Sequence, residues 1–194
     1  MTPSMEPDSV VPVDLSGRWL LDRQASDDVR AKIMPVFDRK ERRIRQEERT
    51  YDVPPPVAGP SSDDHPSEPS TVEWIQRRRE REAQSFVALL SPANQLDIQH
   101  EGGQVRVQTD KGEGSKTLTP GQSSALFTGF GAFEMSSGWK DETFIIDLSG
   151  AGDNKLHTVE RYTLRDEGQT LEVQLDARVP NFGKHSFRFL YRKR

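Results

Sequence analysis

The chain has no cysteine among its 194 residues. That excludes disulfides, thiol nucleophiles, cysteine-ligated zinc and iron–sulfur clusters. Apolar residues are also scarce, at 32%, against roughly 45–50% in an average globular domain. Part of the chain is therefore expected to lie outside any core. No apolar run approaches the roughly 18 residues of a membrane-spanning helix. Charge of one sign is lacking too: 27 Lys and Arg face 31 Asp and Glu, a net charge of -4. No strong field draws the whole molecule to a polyanion, and no nucleic-acid partner is expected. The opening Met-Thr-Pro-Ser-Met-Glu-Pro-Asp has no basic segment followed by an apolar one. As written, the chain is expected to be cytoplasmic, or the mature part of an exported or periplasmic protein.

What is present divides the chain. Residues 1–13 are polar and contain proline, which predicts a disordered lead. Asp14 to Asp22 reads as a short strand. Ser26-Asp27-Asp28 reads as a helix N-cap with acid in the first turn. Ile33, Phe37 and Ile44 then recur at helical spacing, with a break or kink expected near Met34 because Pro35 removes a donor. Residues 52–71 hold six prolines with Ser and Asp, a predicted disordered linker. A second helix is predicted over 72–89. The whole segment 25–92 thus reads as a helical insertion.

From Leu96 the period becomes two. Leu96-Ile98-His100, Val105-Val107, Lys116–Thr119, Phe130–Met135, Thr143–Leu148, His157–Leu164, Leu171–Ala177 and Phe187–Tyr191 each suit a strand, most of them separated by glycine-containing turns. About eight antiparallel strands, with too little helix to cover a flat sheet, bury their apolar faces by closing into a barrel.

Leu15-Ser16-Gly17-Arg18-Trp19 resembles the Gly-x-Trp start of lipocalin-like barrels. The ordered set from Trp139 through Glu160-Arg161-Tyr162-Thr163-Leu164 and Gly168-Gln169-Thr170-Leu171 to Phe189-Leu190-Tyr191-Arg192 is similar to uncharacterised bacterial lipocalin-like proteins, often exported. The resemblance spans residues 14–24 and 94–194. It implies an antiparallel up-and-down barrel. With the charged α-helical segment after the first strand, which the resemblance does not cover, read as an insertion, a single all-β domain over 14–194 is expected. It also implies that an Arg of the last strand, Arg188 or Arg192, packs over Trp19.

Catalytic and metal signatures are weak. His65, His100, His157 and His185 show no ligand spacing, although strand alternation allows His100 and His157 to face one interior. The Gly112 and Gly129 pairs lack the helix that a phosphate loop needs. Ser123-Ser124 and Ser136-Ser137 sit in no nucleophile elbow. No catalytic residue, metal or cofactor is assigned, and the chain is not expected to be an enzyme. The Arg-rich runs 42–45 and 77–81 alternate with Glu and suit solvated helix faces. Aromatic residues are the better candidates. Trp19, Phe130, Trp139, Phe144, Tyr162, Phe187, Phe189 and Tyr191, with Thr158 and Glu160 as polar members, are expected to line an interior that takes a small hydrophobic or amphipathic ligand. The alternative is a packed barrel acting as scaffold for an interaction or envelope-associated module built on the charged helices.

Overall fold

The structure, a computed structural model, describes residues 13–50, 71–111, 115–128, 131–150, 156–180 and 182–194. The expected lead (all but Val13), the expected linker (all but Thr71) and Phe130 lie outside these. The chain forms two compact units, Met1–Val29 with Ser91–Arg194, and Arg30–Leu90.

The first unit is a ten-stranded antiparallel sheet. Its strands are β1 (Gly17–Leu21), β2 (Gln95–Glu101), β3 (Gln104–Thr109), β4 (Ser115–Leu118), β5 (Ser123–Thr128), β6 (Gly131–Lys140), β7 (Thr143–Gly150), β8 (His157–Arg165), β9 (Thr170–Val179) and β10 (Gly183–Lys193). Their order is β4-β3-β2-β1-β10-β9-β8-β7-β6-β5. Every neighbour is sequential except β1 and β10, which pair through Trp19–Lys193 and Leu21–Tyr191. This is an up-and-down sheet whose edges are β4 and β5.

Those edges cannot be far apart. In a flat sheet, nine strand spacings of about 4.8 Å would separate them by about 43 Å. Leu118 and Ser123 end and begin the two edge strands. The five residue steps between them reach about 18 Å at most. The sheet therefore curls into an open barrel, and the Gly121 N–H bonds the Ser137 carbonyl at 2.7 Å to anchor that crossing.

Alternation decides what the curl encloses. Strand β9 reads Leu171, Val173, Leu175, Ala177 and Val179 on its buried face, with Glu172, Gln174, Asp176 and Arg178 on the other. Strand β10 continues it with Phe187, Phe189 and Tyr191. Burying a side chain of this kind contributes about 1.5–3 kcal/mol.

Two strand expectations change. There are ten strands where about eight are expected, with β5 not anticipated, and β6 is longer than expected, running on through Ser136-Ser137-Gly138. Ser123, Ser124, Ala125 and Phe127 of β5 are exposed, Phe127 at 79%, so no core-facing stripe shows among its described side chains. Nor do Ser26 and Asp27 act only ahead of a helix. The Ser26 hydroxyl accepts the Leu190 N–H at 2.9 Å and the Asp27 carboxylate accepts the Arg188 N–H at 2.7 Å. They satisfy the margin of β10 that the shorter β1 leaves unpaired.

The helices are α1 (Val29–Thr50) and α2 (Thr71–Leu90). Of the break or kink expected near Met34, the break does not occur, since α1 runs through Pro35. One proline forfeits one backbone bond, and the turns on either side keep theirs.

Candidate functional site

Strand register gathers the candidate residues into rows on the inner face of the barrel. One row crosses four neighbouring strands and reaches β10: Trp139, Phe144, Tyr162, Val173 and Phe189. The row beside it is Ser137, Ile146, Glu160, Leu175 and Phe187. Thr158 lies one row further, in register with Leu148 and Ala177. Tyr191 is in register with Leu171 and Leu21. Of the ten candidate lining residues, the nine that are described thus share the inner face. Trp19, Phe144, Thr158, Tyr162, Phe187, Phe189 and Tyr191 are buried, while Trp139 and Glu160 are half-buried.

The rings touch in sequence. Trp139 and Phe144 have centroids 5.0 Å apart, and Phe144 and Tyr162 6.3 Å apart, both tilted. Along β10, His185, Phe187 and Phe189 stack at 6.1 and 6.2 Å. These are favourable aromatic separations.

Polar groups are few on this face, and their state follows from burial. The Tyr162 hydroxyl donates to a Glu160 carboxylate oxygen. Burial, then the nearby Glu160 charge and this bond, push the Tyr162 hydroxyl pKa well above its ordinary value. Burial, then Glu160 and Asp110, also raise Tyr191, whose hydroxyl donates to the Ala93 carbonyl at 3.1 Å. Both phenols stay neutral donors. Among the described residues three polar atoms, Thr109 Oγ1, Ser137 Oγ and Trp139 Nε1, are buried without a hydrogen-bond partner. Such groups are uncommon in folded proteins, and each calls for water, an ion or a ligand. Ser137, Thr109 and His100 were not among the expected lining residues. A Ser-Ser-Gly sequence reads as a turn, so nothing local marks Ser137 as a strand residue in phase with Trp139.

At one end of the barrel Trp19 is fully buried, and its indole N–H donates to the Leu15 carbonyl at 3.1 Å. The cation above its ring is Lys193, with Nζ 5.4 Å from the centroid. Arg188 and Arg192 do not occupy that place. Lys193 is in register with Trp19 and Arg192 with Leu20, so even-numbered β10 residues face outward. There Arg188 pairs with Glu172 at 2.8 Å, and Arg192 reaches the Thr170 hydroxyl at 2.9 Å. The two histidines also divide. His100 faces inward and stacks on Trp139, whereas His157 pairs with Asp147 at 3.0 Å on the opposite face. Among the described residues no cluster of three or more acidic or imidazole groups suits a metal. No helix among them is long and apolar enough to cross a membrane.

With this geometry fixed, solved structures supply the comparison. Apo lipid binding protein 8 of Caenorhabditis elegans matches with a TM-score of 0.53 and 12% identity, over 96% of this chain and 100% of that one. A luciferase domain from the dinoflagellate Lingulodinium polyedrum matches with a TM-score of 0.54 and 11% identity, over 98% of this chain and 46% of that one. The fold is shared with both. One is named for lipid binding and the other for light-producing chemistry, so the shared architecture alone does not assign a role. No protein-family model matches the sequence. No curated protein matches it either.

Proposed function

We propose that the barrel interior binds one small apolar or amphipathic molecule, without catalysis. The observation that carries this reading is the inner face itself: rows of aromatic and aliphatic side chains with Thr109 Oγ1, Ser137 Oγ and Trp139 Nε1 unpaired among them. An apolar lining with a few convergent polar groups is the usual make-up of a ligand site. Burial of ligand surface at about 25 cal/mol per Å2 drives binding, and the polar atoms orient the head group. The shared fold with a lipid-binding protein supports the same reading. The test is titration with the neutral dye Nile red. Its fluorescence rises on binding, and Ala177→Phe, which adds a ring to the inner face of β9, weakens that rise while the far-ultraviolet spectrum stays native. A wild-type protein that leaves the dye dark overturns the proposal.

A second reading rests on α2, taken by itself. Trp74 is 50% exposed, with the Arg78 guanidinium 5.5 Å from its ring. An open groove of about 430 Å3 is lined by Trp74, Arg77, Glu80, Arg81 and Gln84. An exposed tryptophan beside arginines suits a protein contact. Under this reading Trp74→Ala abolishes partner capture and leaves dye binding unchanged.

A further inference from the structure

The interior reading leaves open what head group the site takes, and the charges on the inner face discriminate. Every arginine within the ten strands falls on the outer face by register. The inner face instead holds a carboxylate. Glu160 lies between Ile146 and Leu175 in its row, and the Tyr162 hydroxyl is its hydrogen-bond partner among the described residues. The inward-facing basic groups are Lys116, His100, His185 and Lys193. None of them lies within ion-pair distance of Glu160. Lys193 covers Trp19, His100 covers Trp139, and a ring nitrogen of His185 bonds the Phe182 carbonyl at 3.1 Å.

A carboxylate among apolar side chains is costly unless a cation or several donors meet it. A fatty acid would bring a second negative charge to the same wall. An ammonium brings the missing partner, and neighbouring aromatic faces attract cations further. Ser137 sits in the same row as Glu160 with one strand between them, so their backbones are about 10 Å apart. Its buried hydroxyl is without a partner and can accept from the same head group.

We propose that Glu160, assisted by Ser137, makes this interior selective for long-chain amines over fatty acids. The proposal rests on the reading of the barrel interior as a ligand site, and the experiment separates the two. Decylamine, decanoate and decanol, each below its micelle concentration, compete with Nile red for the full-length chain at neutral pH. The wild type binds the amine at least about tenfold more tightly than the carboxylate, the scale of one charge-assisted pair. Glu160→Gln brings amine and alcohol within about twofold of each other, mainly through loss of the amine. A wild type that holds decanoate as tightly as decylamine overturns the head-group assignment. A natively folded Glu160→Gln protein that keeps the preference also overturns it. If Glu160→Gln fails to melt cooperatively, Ser137→Ala decides. A loss of amine affinity at least about threefold greater than any loss of alcohol affinity supports the assignment, and an equal loss or none overturns it. Failure of all three compounds to compete, decanol included, overturns the underlying ligand-site reading instead.

Discussion

His100 and Trp139 stack with ring centroids 5.5 Å apart, although five strands separate β2 from β6 in the sheet. On a flat sheet six spacings would hold them about 29 Å apart. The contact therefore spans the inside of the curl. It lies at the end of the barrel where the β2–β3 and β6–β7 turns fall, and with Phe144 it forms an aromatic floor there.

Removing one side of that contact tests whether it holds the curl. His100→Ala is expected to lower stability by about 0.5–1.5 kcal/mol beyond its lost area. Trp139 emission should shift to the red as its ring gains water. Chemical denaturation with fluorescence detection reads both, and an unchanged midpoint would show that the stacking is incidental.

Gly17 is needed at the start of β1 for two reasons. Its φ is +152°, and an added Cβ would lie 3.1 Å from Lys193 Cε and 3.4 Å from Trp19 Nε1. Gly17→Ala is expected to cost about 1–3 kcal/mol through backbone strain and crowding. Lys193→Ala, which removes only the cation over the indole, should cost no more than about 1 kcal/mol. Equal losses in urea titrations of the two variants would contradict this ranking.

How far these features were legible in the sequence depended on whether a residue's environment was local. The barrel strands β7, β8, β9 and β10 were readable because alternation such as Leu171-Glu172-Val173-Gln174 reports directly on two unlike faces. Trp19 was readable from the Gly17-Arg18-Trp19 run. Strand β5 was not, since an edge strand with its apolar Phe127 in solvent has no alternation to read. The expectation of Arg188 or Arg192 over Trp19 failed on the register with β1, which puts Lys193 there, since a one-residue slip exchanges faces. The inward position of His100 and the outward one of His157 were fixed by pairing in the same way. Ser137 became a candidate only when both its phase and its lack of a partner were known.

The buried phenols set an alkaline limit. Tyr162 and Tyr191 have pKa values raised in the fold, first by burial and then by Glu160. Their contribution is complete below the ordinary tyrosine value of 10.0. Above it the unfolded chain releases protons that the fold retains, so stability falls as pH rises from there toward the folded values. Tyrosinate absorbance of these two residues should therefore appear together with loss of the native circular dichroism. Reversible tyrosinate formation in the folded protein would refute their burial. Tyr162→Phe is expected to push the alkaline midpoint upward.

At acid pH the exposed strand ends respond in the opposite sense. Asp110 accepts the Asn94 side-chain amide at 2.9 Å and the backbone N–H groups of Asn94 and Gln95 at 2.9 and 3.3 Å. These bonds, the Asn94 side chain foremost, lower its pKa from 3.8. Bonds from Arg18 and then Gln95 lower that of Asp97 likewise. A lowered carboxylate stabilises the fold above the ordinary value, and this is lost as pH falls through it toward the folded value. Between about pH 5 and pH 2 the melting temperature of Asp110→Asn should fall less steeply than that of the wild type. Parallel curves would show that Asp110 does not hold the return of the chain into β2.

Ser137 permits the sharpest separation of stability from binding. Its hydroxyl is buried without a partner, and an unpaired buried hydroxyl costs roughly 1–3 kcal/mol of desolvation that folding leaves uncompensated. Ser137→Ala removes that cost together with a single oxygen, so the variant should be as stable as the wild type or more stable by up to about 1 kcal/mol. A serine kept only for packing would lose stability on truncation and leave ligand affinity alone. A serine kept for a head group does the reverse, gaining in the melting curve what it loses in the titration. Measuring both on one preparation distinguishes the two cases, and a drop in melting temperature with unaltered affinity would remove Ser137 from the site.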